Sequence, residues 1–432
     1  MKEYPKVLII NDQSIFKNNA TGITMRSLFQ EWPENCIFEL CLDDEKYNLN
    51  YCVNTKCVIS LFPIQKLMRN VAHKNNVAVQ QPKTISNSRD PIKNRINKRI
   101  RRLFINVADL SPMFMSSELC REIDKFCPNA IYTLGGNVSV MKLAVYISDH
   151  YDIPIIIHFM DDWPHYLQDE RGFGQQFYKR KMLKWLRRLY KRTQRCIAIS
   201  DQMAKVYKNE TGIDHIAFMN SVNTKQLECS KKVQDDKLVA VYAGGLHLDR
   251  WQALIEVQNV LKQKAAQKKR DVEFRIYTKP EDIEKYASEF DPKITSFQKY
   301  INHNEIKSIY EEADILVHAE VANPLLVGYF RFSISTKIPE YLATGRTVLF
   351  YGPKEMGLYT YLRDSNCALV ASTKDELSNC VDKIFSSDKS LDNMRKRAIE
   401  FVLAKHDQQK SSAQFLDLVF DCVREGRPKN GK

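Results

Sequence analysis

Short apolar runs alternate with segments of helical spacing along almost the whole chain, and this alternation limits the available folds more than any other feature. "VLIIND" at 7–12 reads as a buried strand, and "TGITMRSLFQEW" at 21–32 follows with helical spacing through Ile23, Leu28 and Phe29. The same step recurs at 129–135 and 139–151, at 153–160 and 182–193, and at 195–200 and 201–211, before a strand at 216–220. In the second half, strands at 237–246, 272–278, 314–320, 347–353 and 366–372 are separated by helical stretches, and helices at 374–385 and 391–406 follow. Strands that alternate with helices predict parallel sheets covered on both faces. The 432 residues exceed what one ordinary core holds, so two domains are expected. We place them at 1–223 and 237–408, with the polar stretch Thr224 to Lys237 as linker. Residues 65–105 are polar, basic and punctuated by Pro82 and Pro91, and read as loops with one short helix.

The charge is uneven. The chain carries 65 Lys and Arg against 52 Asp and Glu, a net +13. Residues 1–225 hold 33 of the cations and 22 of the acids, and residues 226–432 hold 32 and 30. The basic excess therefore belongs to the first half and speaks of partners, not of fold. "YKRKMLKWLRRLYKRTQR" at 178–195 has nine basic residues and no acid. Its apolar stripe (Met182, Trp185, Leu186, Leu189, Tyr190) reads as core packing, with cations left to approach anionic lipid. "RDPIKNRINKRIRR" at 89–102 adds a second cluster. No zinc-finger spacing, RNP motif or heptad array is present, so nucleic acid is not an expected partner. The 11 cysteines form no C-x-x-C pair and read as reduced thiols. No apolar run reaches about 18 residues, and the opening lacks a signal-peptide pattern. A cytoplasmic protein, peripheral on the inner membrane face, is the expectation.

In doubly wound sheets, ligands bind beyond the carboxyl ends of the strands. Four such ends carry candidates. The loop ending at Gly22 precedes a helix. "HFMDDWP" puts His158, Asp161, Asp162 and Trp163 after a buried strand, where the His suits a sugar hydroxyl or phosphate and the indole a sugar face. "YAGGLHLDRW" ends a strand on Gly244 and Gly245 and opens a helix at Arg250, an arrangement suited to a diphosphate. "SISTKIPEYLATGRTVLFYGP" gathers Ser333, Ser335, Thr336 and Lys337 at a helix start, with Glu340 one turn on to accept from ribose hydroxyls. Each has a plain alternative: a βα loop, a core His, a glycine turn, an N-capped amphipathic helix.

These last two stretches resemble the nucleotide-binding domain of retaining glycosyltransferases of family 4. That family carries a glycine turn and then E-x7-E before "A-x-G-x-P-V", which "IPEYLATGRTVLFYG" follows with Glu340 at the second Glu. "IPIIIHFMDDW" resembles the strand ending in His, and Gly22 the N-terminal glycine loop. The family's first Glu falls on Phe332, and its Arg and Lys after the glycine turn fall on Gly245 and Arg250. The resemblance implies the GT-B architecture: two Rossmann-like α/β domains whose parallel sheets face across a cleft, with a final helix, 409–425, crossing back to the first domain.

It implies sugar transfer from a UDP- or GDP-sugar to a saccharide or lipid-linked saccharide, with retention, no metal and no other cofactor, in bacterial-type surface polysaccharide or glycoconjugate synthesis. Donor-binding residues would be Gly244, Gly245, Arg250, Ser335, Thr336, Lys337 and Glu340. Acceptor-binding residues would be Gly22, Asp162 and Trp163. His158, Asp161 and Glu340 would be catalytic. The alternatives are a GT-B enzyme that modifies a sugar nucleotide, such as an epimerase, and a non-catalytic protein that binds nucleotide sugar or nucleic acid.

Overall fold

A computed structural model describes residues 4–17, 19–43, 54–68, 70, 103–166, 173–226, 237–299, 306–320, 327–328 and 330–428. The basic cluster at 89–102 and most of the polar stretch after Thr224 lie outside these residues. The chain divides into two compact units, Met1–Phe218 with Ser412–Lys432, and Met219–Ser411. The boundary falls ahead of the polar stretch because residues 220–224 are tied into the second unit. Val222 pairs with Asp407 in a parallel bridge, and the Val222 amide donates to the His406 carbonyl at 2.9 Å.

Among the described residues of the first unit, seven strands form one parallel sheet. They are β1 (Val7–Asn11), β2 (Ile37–Cys41), β3 (Asn54–Cys57), β4 (Ala130–Thr133), β5 (Ile155–Phe159), β6 (Arg195–Ala198) and β7 (Asp214–Ala217), in the order β3-β2-β1-β4-β5-β6-β7. Central strands such as β1, VLIIN, are buried at every position, as a sheet covered on both faces requires. Side chains of Asn19, Ser116, Asn137 and Ser200 cap the helices Ala20–Leu28, Ser117–Phe126, Val138–Tyr151 and Asp201–Thr211. The helix Gln408–Glu425 lies almost wholly in this unit. Its Phe415 ring packs edge-on at 4.9 Å from Phe29, with Trp32, Tyr132 and Phe218 around it. The apolar stripe of the helix Phe173–Tyr190 goes into the core through Met182, Leu186 and Leu189.

Among the described residues of the second unit there are six parallel strands. They are β8 (Leu238–Ala243), β9 (Val272–Thr278), β10 (Thr295–Lys299), β11 (Ile315–Ala319), β12 (Thr347–Tyr351) and β13 (Leu369–Ala371), in the order β10-β9-β8-β11-β12-β13. In both sheets the order reverses beside the first strand, between β1 and β4 and between β8 and β11. Chains leaving two such neighbours diverge to opposite faces and leave a crevice at their carboxyl ends, where α/β proteins bind ligands.

Candidate functional site

The crevice of the second unit opens where β8 ends in Gly244-Gly245 and β11 ends beside Glu320. The turn after β8 is fixed from two sides. The Tyr242 hydroxyl donates to the Gly245 carbonyl at 2.9 Å, and Asp282 accepts from the Leu246 amide at 2.9 Å and the Thr278 hydroxyl at 3.1 Å. Leu248 and Asp249 then take left-handed backbone angles, φ 60° and 61°, before the helix Arg250–Lys268 begins. Two successive non-glycine residues in that region cost about 1–3 kcal/mol each, strain that a functional loop can hold against a well-packed frame.

Arg250 turns its guanidinium onto Glu320. Its Nε and Nη2 donate to the two carboxylate oxygens, each at 2.8 Å. Both side chains are largely buried. His318, at the end of β11, places Nε2 3.3 Å from Glu320 Oε1, off the alignment of a hydrogen bond. Burial pushes the Glu320 carboxyl up, but its neighbours His318 and Arg250 outweigh burial and lower it below the usual carboxylate range. It is an anion throughout the neutral range and fixes Arg250 in place.

Lys337 completes the cluster. Its ammonium lies 5.3 Å above the Tyr242 ring, and a Cβ placed on Gly244 would collide with its Nζ. Gly244 is therefore a glycine because Lys337 crosses directly over the backbone there. Burial, with Arg250 nearby, lowers Lys337 to about 8. Glu340, half-buried one turn along the same helix, is raised to about 7 by burial, partly offset by Lys337. The helix Lys337–Ala343 is short, and Thr336 before it makes no side-chain cap. Phe332, where the family's first Glu falls, is buried with its backbone against Gly357, and Arg331 stacks over its ring at 4.3 Å. The buried carboxylate of this site is instead Glu320. It stands where a buried strand, "DILVHAE", runs straight into two polar side chains, and that was its only sequence signal.

A further support comes from Asn220. Its Nδ2 donates to the Thr336 carbonyl at 2.8 Å, and its own carbonyl accepts from His406 Nδ1 at 2.7 Å. Nε2 of His406 thus stays an acceptor for the Tyr361 hydroxyl. Asn220→Ala is expected to lower the stability of the second unit by about 1 kcal/mol, one lost neutral hydrogen bond. Urea unfolding of the variant beside the wild type checks this.

In the first unit the expected residues do not converge. His158 lies in β5, fully buried, with Nδ1 2.6 Å from the Tyr132 hydroxyl, and burial drives it down to about 3. Burial keeps this histidine neutral, and its Nε2 has no hydrogen-bond partner among the described residues. Asp162 is 1% exposed and accepts from Tyr207 at 2.7 Å and His165 at 2.6 Å, so its carboxylate ties two helices together and is not offered to an acceptor. The Gly22 amide is taken by the Asn19 cap at 2.8 Å, and any Cβ there would meet the Lys17 carbonyl, so this glycine serves packing. Asp161 and Trp163 remain half-buried beyond β5, with Trp163 6.1 Å from Phe159. The crevice between β1 and β4 is itself bridged, since Asn11 Oδ1 accepts from the Leu134 amide at 2.8 Å.

Comparison with known proteins agrees with this layout. Residues 258–417 match a family described as glycosyl transferase-like. No curated protein matches in sequence. Among solved structures, HepE of Anabaena, in complex with UDP and glucose, is 13% identical, with a TM-score of 0.59 over 96% of this chain and 100% of that one. A glycosyltransferase from Rickettsia africae is 11% identical, with a TM-score of 0.58 over 99% and 100%. WaaG, a glycosyltransferase involved in lipopolysaccharide biosynthesis, is 11% identical, with a TM-score of 0.57 over 96% and 99%. At these identities the likeness establishes the fold. The chain thus has the GT-B fold, and its residues 258–417 are similar to a family described as glycosyl transferase-like.

Proposed function

We propose that the protein transfers a sugar from a UDP- or GDP-sugar, held on the second unit, to a saccharide or lipid-linked saccharide, with retention, in the synthesis of a bacterial surface polysaccharide or glycoconjugate. The observation that carries the donor site is the Lys337 ammonium lying over Gly244 at the crevice where strand order reverses. Lys337, over Gly244, faces the charge of a diphosphate, and the Nη1 edge of Arg250 is left over by Glu320. As the sugar–phosphate bond breaks, negative charge grows on the leaving diphosphate, and cations already in place stabilise it without reorganising. Glu340 accepts from the ribose hydroxyls. The UDP complex of HepE favours a uridine donor, and the role of WaaG favours a glycan acceptor.

The site's ionisation sets a pH window. Lys337 must keep its proton to hold phosphate, so affinity falls as pH rises through about 8. Glu340 must lose its proton to accept from ribose, so affinity falls as pH drops through about 7. Donor affinity measured by calorimetry across pH is expected to peak between these values. A thermal-shift comparison of UDP, GDP and their sugars tests the reading itself, because a ligand that binds only the native state stabilises it. A rise in Tm with one nucleotide series is expected; no shift with either would overturn the assignment.

A further inference from the structure

A second surface, on the first unit, is unlike the rest of the molecule. Residues 63–68 and 103–109 are helical and sit beside the start of the helix Phe173–Tyr190. Asp109 joins the pieces. Its carboxylate accepts from the Val138 and Ser139 amides at 2.8 and 2.9 Å and from the Tyr178 hydroxyl at 2.7 Å. Asn106 donates to Gln175 at 3.0 Å, Gln65 accepts from Ser139 at 3.1 Å, and the Phe114 amide donates to the Leu61 carbonyl at 2.9 Å. Leu103 lies against Gly174. The platform is therefore built and pinned, yet its outward side chains are apolar. Leu67, Leu103, Phe104, Val107, Phe114 and Phe177 are each between 47% and 62% exposed.

Charge says what covers it. Residues 63–68, 103–109 and 173–190 hold one acid, Asp109, which is 3% exposed and committed as above. They hold Lys66, Arg180 and Lys184, all exposed, with Lys181 riding over the Phe177 ring at 5.1 Å. Exposed large apolar side chains fringed only by cations fit the headgroup boundary of an anionic bilayer: rings enter the acyl edge while lysines meet phosphates. A protein surface would ordinarily offer carboxylates in return for its partner's cations, and none is exposed on these helices. We infer that this platform seats the protein on an anionic lipid surface. The inference deepens the proposed function, since a lipid-linked acceptor would be met there.

The test is co-sedimentation of the full chain with vesicles of phosphatidylcholine alone and of phosphatidylcholine mixed with phosphatidylglycerol, at low and high salt. Binding to the mixed vesicles at low salt, weakened by salt and absent from neutral vesicles, is expected. A Phe104→Glu, Phe114→Glu variant and a Lys181→Glu, Lys184→Glu variant should each bind at least about tenfold more weakly. Both should keep the wild-type unfolding transition and the thermal shift with UDP, because neither touches the second unit. Failure of the wild type to bind mixed vesicles, unchanged binding by both variants, or a concentration-dependent dimer that Phe104→Glu dissolves would each overturn the inference. Vesicle binding by a wild type that shows no shift with any nucleotide would uphold this surface and count against the donor reading.

Discussion

Lys337→Met is expected to lower kcat/KM for the nucleotide-sugar donor by about a hundredfold, roughly 2.7 kcal/mol of transition-state stabilisation. Methionine keeps much of the length and apolar bulk of lysine over Tyr242, so packing should survive and the loss should report the charge. The size follows from where the ammonium sits. It is partly withdrawn from water, against a glycine whose missing side chain leaves it room, and it faces the one place where the strand order opens the sheet. A cation held there gains more from a developing phosphate charge than one in solvent. Gly244→Val should imitate the effect without touching any charge, since the added methyls displace Nζ. Steady-state kinetics with both variants, beside their unfolding curves, separates loss of the site from loss of the fold.

The second large effect concerns Arg250 and Glu320. Arg250→Ala leaves a buried carboxylate with its bidentate partner gone, and should destabilise the second unit by about 3–5 kcal/mol. Glu320→Gln in the same chain removes the stranded charge and should restore much of that stability, while donor turnover stays at least about tenfold down for want of the guanidinium. Glu320→Gln alone should cost less stability than Arg250→Ala, yet loosen Arg250 and raise the donor KM. Urea unfolding of the four proteins, followed by a probe in the second unit, checks the order. Equal stability of Arg250→Ala and the double variant would contradict the pairing as the source of the effect.

Much of this arrangement was legible in the residue order. Central strands of a parallel sheet are apolar on both faces, so "VLIIN", "IIIHF" and "ILVHA" announce themselves. Edge strands do not. β3, NTKC, and β10, TSFQK, lie at sheet margins, are largely half-buried, and carry too few apolar residues to stand out. β2, IFELC, hides for another reason. Its Glu39 is fully buried and accepts from the Ser14 hydroxyl, the Ile15 amide and the Thr55 hydroxyl, so a charged letter sits where a strand needs an apolar one.

The same logic divides the candidate site. Gly244, Arg250, Lys337 and Glu340 carry a local signature of glycine turn, helix start and hydroxyl-rich stretch, and the fold brings the first three to one crevice with Glu340 a turn away. Glu320 was missed because its meaning is its partner, Arg250, 70 residues away. His158 and Asp162 stand differently. Asp162 follows a buried strand and is taken up by Tyr207 and His165, while His158 lies inside β5, shares Nδ1 with the Tyr132 hydroxyl and keeps an unpartnered Nε2.

The most direct test is a crystal structure of the protein with UDP bound. The diphosphate should lie against the Gly244 backbone with an oxygen in hydrogen-bond reach of Lys337 Nζ, and the ribose hydroxyls should face Glu340. A nucleotide seated elsewhere, with Lys337 still resting on Gly244 and no phosphate beside it, would contradict the account.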